Sequence, residues 1–449
     1  MHKPTIVAPG WSYEKAMVAS QYGAEEVYVG VPFTSLRMRQ NKIYNFDDLK
    51  KTVDDLHKNG SKVLLTMNIF PRNVDIQIFE KTVKEIANVG ADAIIFSDPG
   101  TFHIIRKYLP DTPLHLSTQS STMNRAAVKF WKEMGVKRIV FARELSLEEI
   151  KEIREKVPGM EIEVFVHGAM CMSYSGRCLL GDYMSGRPGN KGECSHACRF
   201  KYKVRLEEER RPGKLFQLEW DEDGSHILSS KDLCTIDKLE AIIPYVDAIK
   251  IEGRSKSEFY VWAIVKAYKH VRDAILAKKK IDEKIANLVN VIPHREYWDG
   301  FLFNKLSDFP EWETNPPSPS FIKEGTSLPW QREMKRDLEN YTGSTTLDSA
   351  WPLFNRNYFG MFSDEFIEKD GKKYFHIEPK EVITPGMKIK YLSPDKMGEL
   401  TILDILAPDH QKSSEKIIWY HQVEKAHCNS WAMYMLTDKK LEGREILYE

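Results

Sequence analysis

Cys171, Cys178, Cys194, Cys198 and Cys234 follow one another with the spacing Cys-x6-Cys-x15-Cys-x3-Cys-x35-Cys, and Cys428 stands alone. Several chemistries gather thiols in this way. Disulfides need an oxidising compartment, and the amino terminus runs from Met1 straight into a strand-like stretch with no secretory hydrophobic region. A cytoplasmic location is expected. Structural zinc takes closely spaced thiol pairs; Cys194 and Cys198 make one such pair, and a second is missing. A nucleophilic cysteine partnered by His167 or His196 would use one thiol and leave four idle. An iron–sulfur cluster wants about four thiolates converging in a shielded pocket, with loose spacing along the chain. Inert buried cysteines stay open as a further reading.

The chain that must position these thiols has 449 residues, 42% of them hydrophobic. That is room for about two to three domains, with too much apolar content for a disordered chain. Lys plus Arg and Asp plus Glu are 65 each. The balance excludes a uniformly basic nucleic-acid coat protein, although local basic patches survive it. No apolar run reaches the roughly 20 residues of a membrane helix, so no membrane partner is expected.

Strand-like runs lie at 5–9, 26–30, 62–68, 91–97, 113–119, 138–143 and 161–168, with a late one at 246–254. Helical patterns separate them at 13–22, 46–59, 76–89, 101–108, 125–134 and 146–156, and a long one follows at 258–279. Eight strands alternating with helices predict the α/β class and a parallel (β/α)8, TIM-like barrel over residues 1–307. A doubly wound open sheet is the alternative. A Cys-rich insertion, residues 169–245, interrupts the repeat between strands 7 and 8. It leaves from a strand's carboxyl end, the face on which barrels carry their chemistry. Antiparallel-looking segments within it lie at 201–206, 215–220 and 226–229. Residues 308–354, with Pro316-Pro317-Ser318-Pro319, read as a linker or arm. Residues 355–449 carry short alternating strands and turn signals such as Lys369-Asp370-Gly371, and predict a small C-terminal all-β barrel.

Around the cysteines, the stretch from Glu163 to Leu180 strongly resembles the signature of the peptidase U32 family, the collagenase-like proteases. The resemblance continues through Gly192 to Tyr202, Ser230-Lys231-Asp232-Leu233-Cys234 and Ile251-Glu252-Gly253-Arg254. Ser35-Leu36-Arg37-Met38-Arg39 and the segment from His294 to Leu302 are most similar to the branch acting in tRNA hydroxylation. That resemblance implies an iron–sulfur protein with a [4Fe-4S] cluster. The implied reaction is oxygen-independent, prephenate-dependent conversion of the tRNA wobble uridine to 5-hydroxyuridine. In a hydroxylating relative the cluster sits on four cysteines whose positions match Cys171, Cys178, Cys194 and Cys234. That relative has no counterpart of Cys198, which makes Cys198 a neighbour. Some members of the tRNA branch lack a cysteine at the position of Cys234, which leaves Cys198 open as a replacement.

Four further residues are catalytic candidates. His167 ends an apolar strand, where a structural role is the commoner one, and Glu163 is a buried charge that can simply pair with a base inside the barrel. Gln119 and Asn68 fall at carboxyl ends of strands, which favours contact with a ligand. The candidates for substrate binding are Arg37, Arg39, Arg143, Arg199 and Arg254, with Lys42, Lys201, Lys203 and Lys256 along the same rim. Guanidinium groups suit both RNA phosphates and a dicarboxylate such as prephenate. Expected partners are tRNA and an electron donor, with a homo-oligomer left open. Two alternatives stand beside the hydroxylase, a U32-type peptidase and a non-catalytic RNA-binding subunit. His-Glu-x-x-His and Gly-x-Ser-x-Gly are both missing.

Overall fold

Strands β1 (Thr5–Gly10), β2 (Glu26–Gly30), β3 (Lys62–Met67) and β4 (Ala93–Phe96) are short, nearly all apolar, and buried on both faces. Such runs suit parallel strands enclosed by helices. They are followed by β5 (Leu114–Leu116), β6 (Arg138–Val140) and β7 (Glu161–Ala169). Neighbours pair in parallel from β1 through β7. A short strand, β8 (Asp232–Cys234), precedes β9 (Ala248–Ile251), which pairs in parallel with both β7 and β1 and closes the eight-stranded barrel. Val7, Trp11, Tyr28, Leu64, Ala93, Ile95 and Ala248 pack together in its core.

The computed structural model describes residues 2–36, 41–171, 173–199, 230–304, 358–377, 379, 382–392, 397–409, 419–422, 433–438 and 446–448, with short strands at 206–207, 215–216, 347–348 and 351–352. Of the expected insertion hairpins, Leu206–Glu207 pairs antiparallel with Leu215–Phe216, and the remainder lies outside the described residues, as does most of 308–354. Among the described residues no helix is long and apolar enough to cross a membrane.

The helices begin where the sequence supplies a cap. Asn45 accepts from Asp48 N at the start of α2 (Phe46–Lys58), and Asp98 accepts from Thr101 N where Pro99 opens α4 (Pro99–Tyr108). Ser146 and Glu149 form a reciprocal capping box on α6 (Leu147–Lys156). Each cap contributes about 1 kcal/mol to its helix. Together with α1 (Tyr13–Gln21), α3 (Ile76–Ile86) and α5 (Arg125–Glu133) they alternate with the first seven strands. α7 (Leu180–Ser185) lies in the insertion, and α8 (Glu258–Leu276), capped by Ser257, follows β9.

One feature of the insertion departs from the expected pattern. β8 lies inside the predicted insertion yet joins the sheet, antiparallel to the end of β7 and parallel to β10 (Tyr297–Trp298). Asp232 anchors it through Arg295 Nη2 at 2.7 Å and Arg295 N at 3.0 Å.

Residues 1–353 and 354–449 form two compact units. The second is an antiparallel sheet of β11 (Tyr358–Lys369), β12 (Lys372–Ile377), β13 (Lys388–Leu392), β14 (Met397–Asp409), β15 (Trp419–Gln422), β16 (Met433–Thr437) and β17 (Ile446–Tyr448). Pairing of β13 with both β17 and β14 closes the ring, around Ile377, Ile389, Leu400, Ile402, Ile405 and Met435.

Candidate functional site

Cys171, Cys178, Cys194 and Cys198 line one cavity at the carboxyl end of the barrel. Its walls include Leu36 after β2, Gln119 after β5, Arg143 after β6, and Glu252 and Arg254 after β9. This is the barrel face where loops from several strands can converge on one ligand.

The insertion is fastened to the barrel at several points. Ser175, in a left-handed conformation (φ 47°), donates from its backbone N and its hydroxyl to the two Glu144 carboxylate oxygens, both at 2.6 Å. Such a conformation is costly for a residue with a Cβ, and the carboxylate clamp holds it in place. Asn190 accepts from Cys178 N at 3.3 Å and donates to Cys178 O at 3.0 Å, and its own carbonyl accepts from Phe70 N. Lys191 pairs with Asp75 at 2.9 Å. Leu180 N donates to Cys178 Sγ at 3.3 Å. Gly168 (φ 112°) lets β7 reach the mouth, because a Cβ there would stand 2.4 Å from Glu252 O.

Three guanidinium groups stand in the same recess as the four thiols. Burial raises the Cys198 thiol, Arg199 opposes that, and the Cys171, Cys194 and Cys178 sulfurs push it further up. Arg143 lies over the Phe165 ring at 4.0 Å, donates to Ala169 O at 3.1 Å, and stands 4.0 Å from Glu252. Arg254 lies over Trp11 at 4.6 Å and donates to Leu36 O at 3.4 Å. The buried Nε of each of these two arginines has no hydrogen-bond partner among the described residues. Four thiols and three guanidinium groups in one recess suit a bound group that takes four thiolates and carries net negative charge. Among the described residues no three His, Cys, Asp or Glu side chains stand close enough to hold one metal ion. A four-iron cluster sets a different requirement, one thiolate per iron.

Cys234, expected as a ligand, is placed apart from the other three expected ligands. On β8 it lies opposite His167 of β7, upstream of the mouth, and lines a separate recess with Asp237, Tyr297 and Trp298. Its thiol is 3.9 Å from the Tyr268 hydroxyl, and burial pushes it up to about 11. Cys198, expected as a neighbour, lines the cavity together with Cys171, Cys178 and Cys194. The close Cys194-x3-Cys198 spacing was the available signal.

Glu163 and His167, two of the catalytic candidates, are both buried. Glu163 is fully buried inside the barrel, bonded to Lys250 Nζ at 2.6 Å and Arg138 Nη1 at 3.1 Å, and Arg138 in turn reaches Glu26 at 3.0 Å. Burial would raise the Glu163 carboxyl, but Lys250 and Arg138 outweigh it and hold it at about 2. His167 is buried among the rings of Tyr260, Tyr268 and Tyr297, with Nδ1 3.4 Å from the Tyr268 hydroxyl. It is not among the residues lining the thiol cavity.

Gln119 lines that cavity, and Asn68 stands behind it, with Nδ2 3.3 Å from Gln119 Oε1 and Oδ1 accepting from Leu36 N. Asn68 thus links Gln119 to the turn that carries Leu36. Arg143, Arg199 and Arg254 all reach the cavity wall. Arg37 and Arg39 lie outside the described residues, as do Lys201 and Lys203. Sequence reasoning passed over Glu252 and Glu144, although both follow barrel strands, the rule that had selected Gln119.

Two buried histidines make stability depend on pH. Burial holds His167 at about 3, and burial with Arg138 nearby holds His115 at about 3. In the unfolded chain both titrate near 6.5. Between about 6.5 and 3 the unfolded state therefore binds more protons, and stability is lost as the pH is lowered, by about 1.4 kcal/mol per unit for each histidine. Above about 6.5 neither contributes a slope. The urea midpoint is expected to drop between about pH 7 and pH 5, less steeply in His167→Gln. A midpoint constant over that interval would contradict the assignment.

Comparison with known proteins places the geometry in context. The family described as peptidase family U32 matches residues 11–309. The chain is 38% identical over 346 residues to tRNA hydroxylation protein P of Escherichia coli (strain K12), covering 69% of this chain and 76% of that protein. It is 28% identical over 404 residues to the 23S rRNA 5-hydroxycytidine C2501 synthase of the same strain, covering 87% of this chain and 58% of the synthase. Identity to a collagenase of Porphyromonas gingivalis is 30% over 318 residues, 67% of this chain and 73% of the collagenase.

Proposed function

The chain belongs to the peptidase U32 family, and from that premise we propose that it is an iron–sulfur enzyme hydroxylating tRNA. The reading assigns it oxygen-independent, prephenate-dependent conversion of the wobble uridine to 5-hydroxyuridine, as resemblance to the tRNA branch implies. The observation that carries it is the convergence of Cys171, Cys178, Cys194 and Cys198 on one cavity at the barrel mouth. The relative named tRNA hydroxylation protein P and the one named for making 5-hydroxycytidine in 23S rRNA support nucleic acid as substrate.

In this reading the four cysteines hold a [4Fe-4S] cluster, which when bound supplies one-electron chemistry. Arg143, Arg199 and Arg254 offset thiolate charge, and their guanidinium groups are suited to the carboxylates of a co-substrate such as prephenate. Gln119, oriented by Asn68, offers an amide to a base edge or to the co-substrate. The uridine must leave its stack to reach this recess. An electron donor completes the partners.

The test is 5-hydroxyuridine-derived nucleosides in tRNA from a strain lacking this gene and any paralogue. They are expected to vanish, to return with the wild-type gene, and not to return with Cys171→Ala. A normal level in the deletion strain would overturn the reading. The collagenase named among the relatives favours a peptidase as the second reading. Gelatin cleavage by purified protein, lost in a single Cys→Ala variant that keeps its iron, would establish it. Tight tRNA binding without modification, with prephenate and reductant supplied, would instead mark a binding subunit.

A further inference from the structure

Aromatic side chains stand in solvent on the chain segments that line the thiol cavity. Phe33 is 53% exposed, while every other residue from Val31 to Leu36 is buried. It adopts a left-handed conformation (φ 66°), which a bulky residue rarely takes without a reason. The turn that presents it is firmly held. Ser35 Oγ accepts from Val31 N at 2.6 Å and lies 2.5 Å from Thr66 O, Ile69 N donates to Thr34 O, and Leu36 N donates to Asn68 Oδ1. Leu36 itself lines the cavity. A buried, hydrogen-bonded turn therefore holds one phenyl ring outward, three residues before the cavity-lining Leu36.

The insertion repeats the arrangement. Between residues 171 and 183 some residues line the cavity and others stand in solvent. Cys171, Ser175, Cys178 and Gly181 line the cavity. Tyr174, Leu179 and Tyr183 are 52%, 73% and 90% exposed. Cations are interleaved with them. The exposed Arg177 lies over the Phe70 ring at 4.7 Å, its Nε donating to Gln119 O at 2.6 Å. From 171 to 199 the charges are Arg177, Arg187, Lys191 and Arg199 against Asp182 and Glu193. In sequence Lys201, Lys203 and Arg205 follow before the next acid, Glu207. Exposed rings among excess cations are the elements by which proteins grip unpaired nucleic acid, rings stacking on bases and cations meeting phosphates.

We propose that Phe33, Tyr174 and Tyr183 form a stacking rim for unpaired nucleobases of RNA around the thiol cavity, with Arg177 as a phosphate contact. The proposal rests on the tRNA reading and names the residues by which that substrate is gripped.

The test is the affinity of the full-length protein for two synthetic probes, an RNA hairpin with an unpaired loop and the continuous duplex of the same stem. The wild type is expected to prefer the hairpin. Phe33→Ala and Tyr183→Ala should each weaken hairpin binding by about 5- to 150-fold, the range for loss of one stacked base, and leave duplex binding unchanged. Phe33→Tyr should restore binding, whereas Phe33→Leu, which keeps apolar area without a π face, should not. Tyr183 is almost fully exposed, so its loss cannot act through folding. Hairpin affinities within twofold of wild type in both alanine variants would overturn the rim and leave the tRNA reading standing. Equal losses on hairpin and duplex would overturn stacking. A protein partner lost in these variants while RNA binding persists would make the surface a protein interface instead. Failure of the wild type to bind either RNA would remove the tRNA reading itself.

Discussion

Cys198→Ala is expected to strip the iron from the protein, and Cys234→Ala to leave it in place. Cys198 shares its cavity with Cys171, Cys178 and Cys194, whereas Cys234 faces another recess beside Tyr268. Loss of an outer-shell partner of a metal site typically costs about 10- to 100-fold in affinity or activity. Loss of a ligand should exceed that, so tRNA hydroxylation by Cys198→Ala is expected to fall at least about a hundredfold. Cys234→Ala should stay within a few-fold of wild type, its thiol being held up at about 11 and lining a different recess. The check is the visible absorption and tRNA product of both variants side by side. Iron retained in Cys198→Ala and lost in Cys234→Ala would return the fourth position to Cys234 and require β8 to move.

Glu163→Leu is expected to destabilise the barrel by about 3–5 kcal/mol, because it leaves buried cations without their counter-charge. Lys250 and Arg138 both face this carboxylate, and Lys250 is itself almost wholly enclosed. Arg138 keeps Glu26, so the larger share of the cost falls on Lys250. The double variant Glu163→Leu, Lys250→Met should recover part of the loss, since a well-packed apolar pair can replace a buried ion pair. The urea midpoints of the single and double variants measure this. A single variant that unfolds like wild type yet no longer hydroxylates tRNA would restore Glu163 to the catalytic set.

The barrel was readable because its strands are continuous apolar runs and its helices begin at Ser, Asn or Asp caps. Both signals are local. Closure of the ring by 248–251 was readable too, once the insertion had been set aside. Which thiols converge was not readable, since cluster ligands need no fixed spacing and only the fold decides which loops meet. The β8 pairing that carries Cys234 away from the mouth is a three-residue contact across a long loop. Glu163 was ambiguous for the same reason. A charge within an apolar strand signals a buried partner, and whether that partner is substrate or Lys250 depends on a strand 87 residues away. Phe33 and Glu144 lie in short segments where only backbone conformation and hydrogen bonding set them apart from their neighbours.

The measurement that bears most directly on the central claim is iron and acid-labile sulfide per chain after strictly anaerobic purification, with the visible spectrum alongside. The four-thiol cavity predicts about four of each. Zinc in their place, or no metal under those conditions, would contradict the iron–sulfur assignment and shift the weight to the peptidase or the RNA-binding subunit.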